Sequence, residues 1–210
     1  TSVCVQAMIM ATCNPFDKII LPRNVHKSVI NALIMSGAVP IFAEPEIDLE
    51  LGIANGVSLE NIKHLVEENP ETKAIFLINP TYFGVCSDLT NIIEYAHSKN
   101  IPVLVDEAHG THFTFHEDFP KSGMNAGADM TAVSIHKTGG SLSQSSVLLM
   151  NNNLIDKNRV KSVLNMLQST SASYLLMASL DVARRNLVLE GNEIFDDLIK
   201  LRDASIYPDK

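Results

Sequence analysis

Apolar strands alternate with amphipathic helices along most of this 210-residue sequence, and that alternation constrains the fold more than any other feature. Largely apolar runs at residues 73–78, 101–105 and 130–135 predict strands that are buried on both faces. Between them lie segments with one apolar face, such as the helix that Asp88 opens. Because parallel strands need such crossover helices, we predict an α/β fold with a mostly parallel sheet covered by helices on both faces.

Local signals predict the remaining elements. Gly37 and Pro70 end helices, and Ser58 caps the start of one. The predicted elements are, in chain order, a helix at 3–12, strands at 18–21 and 39–42, helices at 27–36 and from Ser58, a strand at 146–150, helices at 159–167 and 174–189, and a further helix from Gly191 to about residue 201. We predict a solvated loop for the acidic segment 44–50 and assign its carboxylates no role.

Composition excludes several functional classes. The formal net charge of -8, with no cluster of Lys and Arg, argues against a nucleic acid surface. The three cysteines, Cys4, Cys13 and Cys86, form no CxxC pair, so we expect a reducing compartment and a cytoplasmic protein. The apolar start VCVQAMIMA lacks a basic segment and is too short to cross a bilayer, so we expect neither a signal peptide nor a membrane anchor.

Polar residues follow several predicted strands. The turn with Asn24 and His26 follows one strand, and Asn79, Asp106 and Lys137 follow three others. Ligands of parallel sheets bind at the carboxyl ends of strands, so we expect these residues to converge on one edge.

The stretch AVSIHKTGGSLSQSS, residues 132–146, delivers one lysine from a strand to what we predict is a flexible polar loop. Held among glycines and hydroxyls and out of bulk water, the Lys137 amine could act as a nucleophile toward an aldehyde. The alternative is an ordinary solvated loop charge.

The second chemical stretch is DEAHG, residues 106–110. Asp106 could be a helix cap, a metal ligand or half of an acid–base pair. His109, His112 and His116 follow it, but zinc-binding histidines favour a helical spacing and this run contains Gly110. We therefore predict no metal site and a loop folded over the mouth of a cofactor site.

The lysine stretch resembles the lysine site of the Orn/Lys/Arg decarboxylase family, whose members use pyridoxal 5'-phosphate and have the type I aminotransferase fold. The strings RNVHKS and DEAHG and the pair Thr1 and Ser2 resemble the same family. The resemblance covers nearly the whole chain. The chain resembles only part of the family's usual sequence. We therefore expect an N-terminally truncated large cofactor domain at residues 1–190. Residues 191–210 would begin a linker to a missing small domain.

The resemblance implies a role for each site residue. Lys137 would hold the cofactor covalently, and Asp106 would keep its ring nitrogen protonated. His26 would stack on the ring, Ala108 would lie against the ring face and His109 would approach its phenolic oxygen. The residues near the phosphate would be Thr1, Ser2, Ser134 and His136.

The function implied is decarboxylation of arginine, lysine or ornithine to the corresponding amine and CO2. Two alternatives stay open: another type I pyridoxal phosphate enzyme, such as an aminotransferase or aldolase, and a truncated domain without catalysis. The resemblance further implies a homodimer or higher homo-oligomer, with hydroxyls such as Ser169 and Thr170 facing a neighbouring subunit's site. We expect a small-molecule amino acid substrate and neither nucleic acid nor membrane as a partner.

Overall fold

The computed structural model of the chain describes residues 1–151 and 154–206. Its strands are β1 (Lys18–Pro22), β2 (Val39–Ala43), β3 (Ile47–Asp48), β4 (Ile53–Ala54), β5 (Thr72–Ile78), β6 (Val103–Glu107), β7 (Met130–Val133) and β8 (Val147–Met150). Its α-helices are α1 (Ser2–Thr12), α2 (Lys27–Ser36), α3 (Leu59–Glu68), α4 (Leu89–Ser98), α5 (Ile135–Thr138), α6 (Lys157–Leu167) and α7 (Tyr174–Ile206). A 3₁₀ helix covers Thr111–Phe115.

Six strands form one sheet in the order β2-β1-β5-β6-β7-β8. All neighbours in it are parallel except β8, which runs antiparallel to β7. The prediction of a mostly parallel α/β sheet is confirmed. The acidic segment, expected to be a loop, instead forms part of a hairpin of β3 and β4.

Helices cover both faces of the sheet, as predicted. Side chains alternate along each strand, so Ile19 and Phe76 face one core while Ile20 and Ile75 face the other. The first core lies under α1, α2 and α6, and the second lies under α3 and α4. All four of these strand side chains are fully buried, which explains why apolar residues occupy consecutive positions in the strands.

The helix boundaries follow from local hydrogen bonds. The side chains of Ser58 and Asp88 accept bonds from the backbone N–H groups of Asn61 and Asn91, which caps α3 and α4. Gly37 ends α2 in the left-handed conformation, with φ of 72°. These caps confirm the predicted ends.

The helix α7 differs from the prediction. Two helices separated at Gly191 were expected, but one helix runs through this residue. A Cβ atom at Gly191 would lie 3.2 Å from Cβ of Phe115, so glycine allows α7 to approach the 3₁₀ helix closely. The close packing explains a glycine inside a helix. The domain division at residue 190 stays a prediction, and residues 207–210 of the expected linker lie outside the described residues.

Within the described part of the chain, none of the helices combines the length and the apolar character needed to cross a membrane.

Candidate active site

Lys137 lies in the short helix α5, directly after β7. The backbone N–H of Lys137 donates to the carbonyl of Ser134 at 3.0 Å, and that of Gly139 donates to Ile135 at 2.8 Å. The side chain is exposed, with its Nζ 3.0 Å from Nε2 of His109. The expectation of a flexible loop that keeps this lysine out of water is therefore wrong. A turn fixed by backbone hydrogen bonds presents the amine.

Asp106 lies within β6, between Ile78 of β5 and Ala132 of β7. The sequence predicted that this strand ends at Asp106, whereas β6 continues to Glu107. The side chain is 5% exposed, and its Oδ1 accepts a hydrogen bond from the backbone N–H of Ala108 at 3.1 Å. Burial raises the pKa of Asp106, and the Ala108 N–H and the Lys137 ammonium oppose that rise.

A cavity of about 390 Å³ lies at the carboxyl edge of the sheet. It is lined by eight of the nine residues that the sequence predicts, namely Thr1, Ser2, His26, Asp106, Ala108, His109, His136 and Lys137. They come from separate parts of the chain and meet because parallel strands all end at one edge. The structure thus brings these residues together, while their individual roles stay predictions.

Ser134 is the predicted site residue that does not line the cavity. Its side chain is fully buried, and its hydroxyl contacts the hydroxyl of Thr1. Its carbonyl accepts a hydrogen bond from Oγ1 of Thr111 at 2.9 Å. Ser134 therefore lies behind the cavity wall and supports Thr1.

The amino end of α1 forms one wall. The Thr1 hydroxyl also lies 2.9 Å from Oγ of Ser146, so two hydroxyls hold Thr1 in place. Ser2 begins the helix and is exposed. Backbone N–H groups of a first helical turn have no partner within the helix, so this wall suits an anion.

His26 and His136 stand on other walls. His26 caps α2, with its Nδ1 accepting from the backbone N–H of Ser28 at 3.2 Å. Nδ1 of His136 donates to the carbonyl of Ser145 at 2.6 Å. These bonds fix both rings while they line the cavity.

Ala108 and His109 follow Asp106 at the same edge. Ala108 is buried and His109 is partly buried. Burial lowers the pKa of His109, and the nearby charges of Lys137 and His26 lower it further. The imidazole beside the lysine amine is therefore biased toward its neutral form.

Several cavity residues were not predicted from the sequence: Ser28, Ala54, Ile78, Thr81, Tyr82 and Phe83. Thr81 and Tyr82 closely follow β5, so their position after a strand was the available signal. Asn79 has the same signal but does not line the cavity. It is buried, and its Oδ1 accepts from the backbone N–H of Ser87 at 2.8 Å.

His112 and His116 lie away from the cavity. His112 packs against Phe119, with ring centroids 4.7 Å apart, and Nε2 of His116 lies 3.1 Å from Oδ1 of Asp196 in α7. The expected loop over the cofactor mouth is therefore wrong beyond His109, because the 3₁₀ helix packs against α7. Among residues 1–151 and 154–206, no group of three or more His, Cys, Asp or Glu side chains is placed to hold a metal ion.

The fold and the site define a class: a type I aminotransferase-like α/β domain with a lysine and a buried aspartate at one sheet edge. A family model described as Orn/Lys/Arg decarboxylase, major domain, matches residues 1–204. The chain belongs to this family.

Individual relatives agree with that assignment. The chain is 57% identical over 205 residues to arginine decarboxylase from Bacillus subtilis (strain 168), covering 98% of this chain and 42% of the relative. Lysine decarboxylase A from Pseudomonas aeruginosa superposes with a TM-score of 0.76 at 27% identity, over 89% of this chain and 28% of that one. N-Succinyldiaminopimelate aminotransferase from Mycobacterium tuberculosis shares the fold, with a TM-score of 0.67 at 19% identity, over 96% and 53% of the two chains. This chain thus spans less than half the length of the decarboxylases it matches.

Proposed function

We propose that this chain is the cofactor domain of a pyridoxal phosphate dependent decarboxylase that converts arginine, lysine or ornithine to the corresponding amine and CO2. The observation that carries the proposal is the placement of the Lys137 amine and the buried Asp106 carboxylate on one cavity, at the ends of neighbouring strands. Decarboxylases of basic amino acids among the relatives support the substrate class. Residues 1–190 would form the domain, and residue 191 would begin a linker.

The residues present fit pyridoxal phosphate. Asp106 is a buried carboxylate whose raised pKa reflects the cost of burying its charge, and a cationic ring nitrogen would offset that cost. The amino end of α1 with Thr1 and Ser2 suits the phosphate. Ala108 leaves room for a flat ring, and His26 offers an aromatic face. The cavity volume of about 390 Å³ lies within the range of ordinary cofactor sites.

When bound, the cofactor would supply an electron sink for the pair left on the α carbon as the substrate carboxylate departs as CO2. Lys137 would hold the cofactor through its amine, which must first lose a proton. Nε2 of His109, 3.0 Å from that amine, can accept a hydrogen bond from it and so orient it in the cavity. Asp106 would hold the positive charge at the ring nitrogen, and Ser134 would keep Thr1 in position for the phosphate.

The proposal is tested with the whole protein that contains this chain, titrated with pyridoxal phosphate. We expect an absorbance band shifted from that of free cofactor, and loss of the shift in Lys137→Ala because the amine is gone. Chromatography of reactions with arginine, lysine and ornithine should detect one amine and CO2 in equal amounts. Bound cofactor with no amine from any of the three would favour another type I enzyme. No bound cofactor would favour a domain without catalysis.

The cellular setting and the assembly are further parts of the proposal. The thiols of Cys4 and Cys13 are buried and unpaired, which supports a reducing, cytoplasmic setting. A homodimer or higher homo-oligomer is expected, in which Ser169 and Thr170, both exposed, would face a neighbouring subunit. Light scattering of the whole protein would give its mass.

A further inference from the structure

Tyr82 and Phe83 form an aromatic rim at the mouth of the cavity. They are 79% and 53% exposed, and their rings stand perpendicular with centroids 5.5 Å apart. The turn that carries them is fixed by backbone hydrogen bonds from Thr81 to Val85 at 2.9 Å and from Gly84 to Thr81 at 3.0 Å. Two adjoining exposed rings at a cavity mouth are placed to contact a ligand that enters the cavity.

The rim is close to the reacting amine. The ring of Tyr82 meets the ring of His109 edge to face, with centroids 5.7 Å apart. His109 is in turn 3.0 Å from Nζ of Lys137. The ring of Tyr82, the ring of His109 and the Lys137 amine therefore form a connected row from the exposed rim to the amine.

The aromatic rim also offers a partner for a cationic substrate side chain, which the described residues of the cavity otherwise provide only through a buried carboxylate. Among the described residues that line the cavity, the acidic one is Asp106, which is 5% exposed and lies near the Lys137 charge. Aromatic faces attract ammonium and guanidinium groups, and guanidinium most often. The chain already contains such a pair, because the guanidinium carbon of Arg23 lies 4.8 Å from the centroid of Phe42.

We infer that Tyr82 and Phe83 recognise the side chain of the substrate, with the rings packing on its aliphatic stem and holding its cationic head. The inference rests on the proposed function, since it places the substrate's amino group at Lys137. According to this inference, the aromatic faces of Tyr82 and Phe83 select substrates whose side chain carries a positive charge.

A binding measurement separates this inference from the proposed function. Lys137→Ala in the whole protein, loaded with pyridoxal phosphate, removes the protein amine that turnover needs, and calorimetry then compares arginine with citrulline, its neutral isostere, both of which carry the same α-amine. We expect arginine to bind more tightly than citrulline. Tyr82→Leu added to this background should weaken arginine binding about tenfold and citrulline binding less, because only the cation loses its ring partner.

Three further variants complete the test in the same background. Tyr82→Phe keeps the ring and should keep the preference for arginine, and Phe83→Leu should lower it. Phe16→Leu removes another exposed ring, at the opposite end of the sheet, and should change nothing. Equal affinity for arginine and citrulline, or unchanged arginine affinity in both Tyr82→Leu and Phe83→Leu, would overturn the inference even if the wild-type protein makes amine. A rim-dependent preference would support it even if no amine is made.

Discussion

The two ends of strands β6 and β7 each carry a buried aspartate, and the two aspartates differ in what surrounds them. At the amino end, Oδ2 of Asp129 accepts from the backbone N–H of Val103 at 2.8 Å and lies 2.8 Å from Nε2 of His97. At the carboxyl end, Asp106 accepts one hydrogen bond, from its own turn, and faces a cavity. A buried carboxylate bonded across elements holds a fold together, whereas one that faces a cavity is available to a ligand.

The largest expected effect is on catalysis at the carboxyl end. If the proposed function holds, Asp106→Asn should lower kcat of the whole protein by about 100-fold or more, because an amide would not hold a positive charge at the ring nitrogen of the cofactor. Its free energy of unfolding should be unchanged or higher, since a buried charge is removed. Steady-state kinetics and urea unfolding of the same preparation measure both quantities. A lower free energy of unfolding with unchanged kcat would show that Asp106 stabilises the fold and does not serve the site.

The opposite result is expected at the amino end. Asp129→Ala should lower the free energy of unfolding by about 2–4 kcal/mol, because it leaves the Val103 N–H buried without its acceptor. The folded enzyme should keep its kcat, since Asp129 does not line the cavity. His97→Ala tests the same contact from its other, partly exposed partner and should cost less. A kcat lowered as strongly as in Asp106→Asn would contradict the structural role.

A third buried carboxylate, that of Glu107, should make the stability of the fold depend on pH. Glu107 is 2% exposed, and burial raises its pKa to about 7, opposed by a hydrogen bond from the Gly123 N–H. Between its ordinary pKa and about 7 the folded protein holds a proton that the unfolded chain has lost. Stability should therefore be highest at low pH in this window and fall by at most about 3 kcal/mol as the pH rises to 7.

Glu107→Gln is the matched variant, because it keeps the shape and an acceptor for Gly123 but does not titrate. Urea unfolding at about pH 5 and about pH 8 should show a smaller pH dependence in this variant than in wild type. Some dependence should remain, since burial also raises the pKa of Asp106. Identical pH dependence in the two proteins would show that Glu107 does not titrate in this range.

The smallest effect is expected from the acidic hairpin, defined as β3 and β4 with their connecting turn. Ala54 of this hairpin lines the cavity, Glu50 is exposed in its turn, and Glu46 is exposed directly before β3. Their field should attract a cationic substrate, so Glu46→Gln with Glu50→Gln should lower kcat/KM by up to about threefold at low salt. The difference should vanish at high salt. A salt-independent loss would point to direct contact.

Much of the fold could be predicted because its signals are local. The caps at Ser58 and Asp88 and the stop at Gly37 act within one helical turn. The convergence of Asn24, His26, Asp106 and Lys137 could be predicted because carboxyl ends of parallel strands meet at one edge, and the other predicted cavity residues came from the family resemblance. The family resemblance also favours a covalent role for Lys137 over that of an ordinary loop lysine.

What could not be predicted depends on packing between distant segments. The burial of Ser134 behind Thr1 joins residues that are 133 positions apart, and no local pattern reports it. Gly191 lies inside α7 where the helix packs closely on Phe115, whereas the glycine alone suggested a helix end. Tyr82 and Phe83 are exposed aromatic residues whose importance depends on where their turn lies relative to Lys137.

The central claim is that Lys137 binds pyridoxal phosphate covalently, and borohydride reduction followed by peptide mass spectrometry tests it most directly. Reduction of the whole protein with bound cofactor should fix the cofactor's mass on the peptide that contains Lys137 and on no other peptide. Asp106→Asn should still yield this adduct when cofactor is in excess, because the amine is intact. An adduct on a different lysine, or none in a protein that holds the cofactor, would contradict the account.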